Sequence, residues 1–330
     1  MTLPQYAQMI NEMRALQGQE PRTEFQDLSL LGPGTNWQDA LFRQAALQKH
    51  QLSLSGGSDH TQYYISGEFY DQEGIALGSG FKRNSIRLNL NNSLRDWVRL
   101  SANLSYSQTD QELSTTQRGI INDALRLAPN VPVKNPDGSW GGADEANGSS
   151  LQFTPLNPVA IANLTQNDLK RKQFLGGVNL DIDLFRGLVF RTSLNSNIEN
   201  MRQDNFTPTY RIGDRTNDEA SLTVRSNNNF YWNWNQMLQY NVQLGSHNLD
   251  LMASHESQES TWENLSGSKT GFVTNEIPDL NIGDDGNATT GGGSGSWAME
   301  SYFGRLNYNF AEKYSFQGAV RTDGSVRFGR

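Results

Sequence analysis

From about residue 48 onward the chain repeats one pattern, in which stretches of alternating apolar and polar residues are joined by tight turns and long polar loops in turn. Trp97-Val98-Arg99-Leu100-Ser101-Ala102-Asn103-Leu104-Ser105-Tyr106 shows it most plainly: Val98, Leu100, Ala102, Leu104 and Tyr106 fall on one face, Arg99, Ser101, Asn103 and Ser105 on the other. Period two places successive side chains on opposite sides of an extended strand. One face is wet and the other greasy. A row of such strands, hinged short at one end and long at the other, is how a transmembrane β-barrel reads in sequence.

The spacing predicts strands at about 47–56, 61–71, a third carrying Ile86, Leu88 and Leu90, then about 97–108, 173–184, 188–200, 225–243, 247–259, 299–310 and 314–322. Gly56-Gly57-Ser58-Asp59, Leu94-Arg95-Asp96, Phe185-Arg186-Gly187, Gly245-Ser246 and Ala311-Glu312-Lys313 supply the short turns. The expected fold class is all-β: an antiparallel up-and-down meander of about ten strands. Long loops are expected at about 109–172, 201–223 and 260–298. Short turns on one edge and long loops on the other match a barrel whose turns face the periplasm and whose loops face outward. Trp97, Phe185, Phe310 and Tyr314 near the short turns fit an interfacial aromatic girdle.

The amino-terminal stretch differs. Thr2 with Gln5 forms a capping-box pattern, Pro4 suits a first helical turn, and Tyr6, Met9, Ile10, Met13 and Leu16 keep helical spacing up to Gly18, predicting a short amphipathic helix over 3–17. A polar connector punctuated by Gly32-Pro33-Gly34 follows, to about residue 35.

Composition narrows the function. At 330 residues, 35% hydrophobic and 19% charged, with a mean hydropathy of −0.65, the chain lacks any apolar run near the ~18 residues of a spanning helix. A barrel strand offers lipid only every second side chain, so low hydropathy is compatible with a wet-centred barrel. A net charge of −8 without a basic stripe gives a nucleic-acid partner no electrostatic support. Cysteine is absent, which removes disulfides and thiolate metal sites. Met1 to Met13 show neither a basic nor an apolar signal region, so the expectation is an internal piece of a longer exported protein.

Little in the chain carries catalytic chemistry. His50, His60, His247 and His255 show no zinc-helix spacing. Asp181 and Asp183 share a strand face and read as lumen lining more readily than as a glycosidase pair. Asp279, Asp284, Asp285 and Asn287 resemble a calcium loop in residue type but not in order. Gly291-Gly292-Gly293 precedes neither a helix nor a lysine, so a phosphate loop is unsupported, and the chain calls for no cofactor. The better candidates are the aromatics expected in the long loops, Trp140, Phe153, Trp262 and Trp297. They are placed either to stack on a sugar ring or bury an apolar ligand group, or to pack loop on loop.

Several ordered motifs carry a family resemblance. Asn36-Trp37-Gln38-Asp39-Ala40-Leu41-Phe42, His50-Gln51-Leu52-Ser53-Leu54-Ser55-Gly56-Gly57-Ser58, Gln72-Glu73-Gly74-Ile75 and Phe81-Lys82-Arg83-Asn84-Ser85 resemble the opening barrel strands of SusC/RagA-type TonB-dependent outer-membrane transporters. Ala128-Pro129-Asn130-Val131-Pro132, Asp137-Gly138-Ser139, Ser301-Tyr302-Phe303-Gly304-Arg305-Leu306-Asn307-Tyr308 and Arg321-Thr322-Asp323-Gly324-Ser325-Val326-Arg327-Phe328-Gly329 continue it. The resemblance implies that residues 36–330 are an incomplete part of a barrel of about 22 strands, and that 1–35 connect it to a plug domain outside this sequence. It implies import of glycans, oligosaccharides or peptides, with a SusD-like surface lipoprotein as lid. TonB would be engaged through a region preceding this sequence, and outer-membrane lipid would surround the barrel. It implies no enzyme. The alternatives are a passive porin-like barrel and a soluble β-rich surface adhesin or glycan-binding or glycan-degrading protein.

Overall fold

In the computed structural model, which describes residues 1–114, 119–142 and 155–327, ten long strands form one antiparallel sheet. They are β1 (Leu47–Gly57), β2 (Thr61–Glu73), β3 (Ser79–Arg95), β4 (Val98–Leu113), β5 (Gln166–Phe185), β6 (Leu188–Thr207), β9 (Ser221–Leu244), β10 (His247–Thr270), β11 (Thr289–Phe310) and β12 (Tyr314–Ser325). A small hairpin, β7 (Tyr210–Ile212) with β8 (Arg215–Asn217), stands apart in the loop between β6 and β9. Order in the sheet follows order in the chain, so the fold is the expected up-and-down meander, and β1 and β12 pair on one side only. Among the described residues no helix is long and apolar enough to cross a membrane, which says nothing of crossing by strands.

The short turns lie where the sequence places them. Gly187 has φ 84 between β5 and β6, and a Cβ there would lie 2.2 Å from the Asn241 carbonyl oxygen, so the turn needs glycine on both counts. Strand ends on the opposite edge run further than the alternation predicts. β4 continues to Leu113, β5 begins at Gln166, β6 continues to Thr207, β10 to Thr270, and β11 begins at Thr289. The loops shrink accordingly to 114–165, 208–220 and 271–288. Beyond the lipid both faces of a strand are wet, so the apolar half of the pattern disappears while the backbone ladder goes on. Asn264 still pairs with Gly293 and Gly267 with Thr290. β9 and β10 have 24 residues each, well over the roughly 9–11 that a tilted strand needs to cross a bilayer.

Register holds one apolar face continuous across strands. Leu88 pairs with Leu104, Leu104 with Gly176, Ala102 with Val178, Val178 with Leu194, and Leu194 with Trp234. On β5 the apolar series runs from Phe174 to Leu184, the span of a membrane crossing. Trp97, Phe185 and Tyr314 at its short-turn edge are 55%, 60% and 61% exposed, as a lipid-interface girdle requires.

The sheet has almost no core of its own; the buried apolar residues lie mostly in a crown at the long-loop end. There α1 (Leu3–Leu16), α2 (Trp37–Leu41), α3 (Ile120–Arg126) and α4 (Pro158–Leu164) gather. α1 has the expected capping box of Thr2 and Gln5, and its Tyr6 meets Phe25 edge-on at 6.1 Å. Trp37, Leu41, Ile120, Ala124, Val131, Ile161 and Ile212 form one cluster. The amino-terminal segment is tied into it by hydrogen bonds: Trp37 Nε1 donates to the Ala128 carbonyl (3.0 Å) and Thr35 Oγ1 to that of Val131 (2.7 Å). α4 was not predicted, although Asn157-Pro158 is a cap followed by a first-turn proline. Asn157 is fully buried and fully used. Its Oδ1 accepts from the backbone N–H groups of Val159 and Ala160, while Nδ2 donates to the carbonyls of Val133 and Gly141, both at 2.9 Å. A second cluster, Phe206, Ala220, Leu222 and Phe272, packs the 271–288 loop over the strand ends.

Two outcomes follow from this architecture. Leu104→Arg, on the apolar face, is expected to destabilise the folded barrel by about 2–4 kcal/mol near the bilayer midplane, whereas Asn103→Arg on the polar face is tolerated; a refolding titration in lipid compares them, and equal losses would contradict the assigned facing. Asn157→Ala strands two carbonyls and two helix N–H groups, at about 2–4 kcal/mol of crown stability. Amide exchange should then speed up over 133–141 and 158–162 while the β-ladder stays protected.

Candidate functional site

The face opposite the apolar one carries the polar members of every strand, and they are bonded to one another across the ladder. Gln173 Nε2 donates to Asn197 Oδ1 (3.2 Å), Gln203 Nε2 to Asn167 Oδ1 (2.7 Å) and Gln239 Nε2 to Asp250 Oδ2 (3.0 Å). Ion pairs stiffen the same wall: Arg83 with Glu68 at 2.6 Å and Lys49 with Glu68 at 3.1 Å. Asp181 and Asp183, the two carboxylates considered for acid–base work, are each held by an arginine fork. Arg191 Nε and Nη2 meet Asp181 at 2.6 and 2.9 Å, and Arg99 Nη1 and Nη2 meet Asp183 at 2.6 and 2.9 Å. Each carboxylate thus has both oxygens occupied by a guanidinium fork, which fits the lumen-lining reading.

Higher on this wall the structure corrects the placement of two candidate tryptophans. Trp262 and Trp297 lie on β10 and β11, not in loops, because the ladder continues through Gly291–Ser296. Trp262 pairs with Gly295 and Trp297 with Ser260, so the two indoles occupy adjacent rows of the same polar face. Trp262 lies across the glycines: a Cβ at Gly295 would sit 2.8 Å from its ring. Gly293, the last of the run that fitted no phosphate loop, and Gly295 are therefore the floor beneath an indole.

Trp297 is backed by Tyr231 of β9, ring centroids 6.4 Å apart, and Arg327 stands 5.4 Å over its ring. Tyr231 hydroxyl donates to Gln258 Oε1 (2.9 Å), and Asn233 and Gln258 both donate to Glu256 Oε1, at 2.9 and 3.2 Å. This gives a wall of two indoles and a phenol edged by amides and one carboxylate, the residue types that stack on a sugar ring and bind its hydroxyls. Tyr231 and Asn233 escaped the sequence reading because Phe230, Tyr231 and Trp232 are aromatic in succession, which hides the period of two, and Glu256 and Gln258 because no motif marks them on β10.

Trp140 is separate from this wall. It sits half-buried against the crown, bridged to Lys134 and Ile212, with Lys134 Nζ 4.6 Å over its ring. Phe153 falls outside the described residues. His247 bonds the Tyr308 hydroxyl at 2.7 Å, and His255 lies between Gln236 (3.1 Å) and Glu300 (2.9 Å). Asp279 and Asp284 accept backbone N–H groups of their own turns. Asp285 pairs with Lys269, whose ammonium holds that carboxyl below the usual range. Among the described residues no group of three acidic or histidine side chains is arranged to hold a metal ion.

Comparison with known proteins gives the wall its context. No family model matches the chain. TonB-dependent receptor P3 of Formosa agariphila is 29% identical over 322 residues, which is 94% of this chain and 31% of the relative. TonB-dependent receptor P26 of the same organism is 30% identical over 313 residues, 90% of this chain and 30% of the relative. TonB-dependent receptor SusC of Bacteroides thetaiotaomicron is 26% identical over 327 residues. The solved RagAB peptide transporter superposes with a TM-score of 0.73 at 22% identity, covering 92% of this chain and 34% of that one. The chain spans about a third of the length of the relatives it matches. With the ordered motifs and the meander, these likenesses place it in the SusC/RagA family of TonB-dependent receptors, as a segment of the barrel.

Proposed function

We propose that this segment is lipid-embedded wall of an outer-membrane importer that takes up oligosaccharides, driven through TonB and covered by a SusD-like surface lipoprotein, and that it is not an enzyme. The observation that carries the cargo class is the lumenal surface of Trp262, Trp297 and Tyr231 with Gln258 and Glu256 beside them. Flat aromatic faces beside hydrogen-bonding amides suit a ring that is apolar on its faces and hydroxylated at its rim. Residues 1–35 are read as the approach from a plug domain into the crown.

The polar lining below supports passage of a hydrated solute. Its Asn and Gln side chains and its ion pairs already satisfy one another, so a sliding solute exchanges hydrogen bonds without leaving a charge exposed. Lipoprotein-covered import accounts for the crown as well, since a lid needs a folded rim to rest on.

In the intact receptor Trp297→Ala is expected to weaken oligosaccharide binding about tenfold through loss of one stacking face. Titration of the purified receptor by calorimetry reads that loss. Uptake by cells should stop when a protonophore collapses the proton-motive force. Uptake that persists would favour the passive-porin reading, and an undiminished affinity for peptides with none for sugars would move the cargo class.

A further inference from the structure

The outward face of β3 to β6 is layered in depth, and the layering has a ligand. The outermost full row of the apolar belt is Ile86, Tyr106, Phe174, Ile198 and Phe230, each directly opposite the next. One step of the same face toward the long loops, Gln108, Lys172 and Asn200 stand opposite one another. A further step brings Lys82, Asp110, Lys170 and Arg202 into one row, and the step after that Glu112, Asp168 and Asp204. Each step is about 7 Å along the strand. Away from the membrane the apolar row is thus followed by two amides with one lysine, then three cations with one carboxylate, then three carboxylates.

Within the cationic layer Lys82 is paired with Asp71 at 3.3 Å and Arg202 with Asp204 at 3.0 Å. Lys170 and Lys172 are exposed and engage in no hydrogen bond or ion pair. In its row Lys170 stands between Asp110 of β4 and Arg202 of β6, with no ion pair to either neighbour. Arg171, which separates the two lysines on the strand, points to the other face and is matched there by Glu199 at 3.6 Å. Of the three cations at 170–172, the two without an ion pair are therefore the two on the lipid side.

We infer that Lys170, Lys172 and Arg202 form a binding site for the phosphorylated headgroup of an anionic outer-leaflet lipid whose acyl chains lie on Phe174, Ile198 and Phe230. An amphiphile seated on the belt carries its phosphate one or two rows above its chains, which is where the lysines stand. Long lysine stems follow apolar surface while their ammonium groups reach toward the interface. The carboxylate row of Glu112, Asp168 and Asp204 repels a phosphate placed any further out, so the site has a floor and a ceiling. Basic clusters beside a hydrophobic span hold anionic lipid by this attraction. The inference needs the strands to cross the membrane and is independent of the cargo.

The test uses the intact receptor reconstituted in phosphatidylcholine vesicles doped with lipid A, either phosphorylated or enzymatically dephosphorylated, with lipid retained on the repurified receptor as the readout. Lys170→Gln with Lys172→Gln is expected to weaken retention of the phosphorylated lipid about thirtyfold, each juxtamembrane cation being worth several-fold. Lys170→Arg with Lys172→Arg should retain it, and Arg171→Gln, on the lumenal face, should leave it unchanged. The dephosphorylated lipid should bind weakly to every variant. The inference is overturned if the glutamine pair retains the phosphorylated lipid as wild type does, or if Arg171→Gln loses as much. Displacement by millimolar inorganic phosphate alone would equally overturn it, since the site would then read a free anion and not a lipid.

Discussion

Inside a bilayer no water is available to a peptide N–H or C=O, and every strand must find its partners in the next one. That requirement orders the rest of this structure. It forces sequential strands to pair in sequence, which the register from β1 to β12 does without a crossover. It also leaves side chains free of the task of holding the chain together, so one face can be given to lipid and the other to water. Only Ala102 among the residues of the membrane-crossing stretches is a buried hydrophobic one. Burial by neighbouring strands and by lipid replaces the packed interior of a soluble domain. An unpaired β1 or β12 edge in lipid would violate the same requirement, so each needs a neighbouring strand in the assembled barrel.

Where the chain leaves the bilayer the rules revert to those of a soluble protein. The crown has a conventional core of Trp37, Leu41, Ile120 and Ile161, capped helices, and the fully satisfied Asn157. The two regimes meet at the strand ends. Strands of 24 residues carry their ladders above the membrane and present rigid sheet there, on which the loops fold. The Phe206–Phe272 contact, rings 5.6 Å apart and nearly perpendicular, fastens the 271–288 loop to that extension.

Legibility in sequence divides along the same line. At the short-turn edge the signals agree: apolar alternation runs to the turn, and Gly187 and Gly245 punctuate it. Those strand ends match the sequence reading to within a residue, except that β3 runs on through Leu94 and Arg95 of the expected turn. At the loop edge the alternation fades once lipid no longer demands an apolar face, and Thr289–Ser296, all Thr, Gly and Ser, reads as linker although it is paired throughout. The misplacement of Trp262 and Trp297 follows directly from that. Once the register is known, their adjacency needs no further information, because residues of equal parity on paired strands share a face. α4 was hidden for another reason, since a helix of seven residues in a loop has too few turns to show a period.

The glycines opposite Trp262 show how one wall reconciles rigidity with a flat aromatic surface. A strand of Gly and Ser has weak intrinsic preference for extended structure, yet β11 is held between β10 on one side and, further along, β12 on the other. The indole lying over Gly293 and Gly295 covers the backbone that those residues leave bare, which restores apolar contact to the strand and fixes the ring orientation together. A bulkier residue at 295 would lift the indole off the sheet and turn its face away from the lumen. Strand cover and ring orientation here come from a single contact, so the glycine at 295 is demanded by the aromatic opposite it and not by any turn.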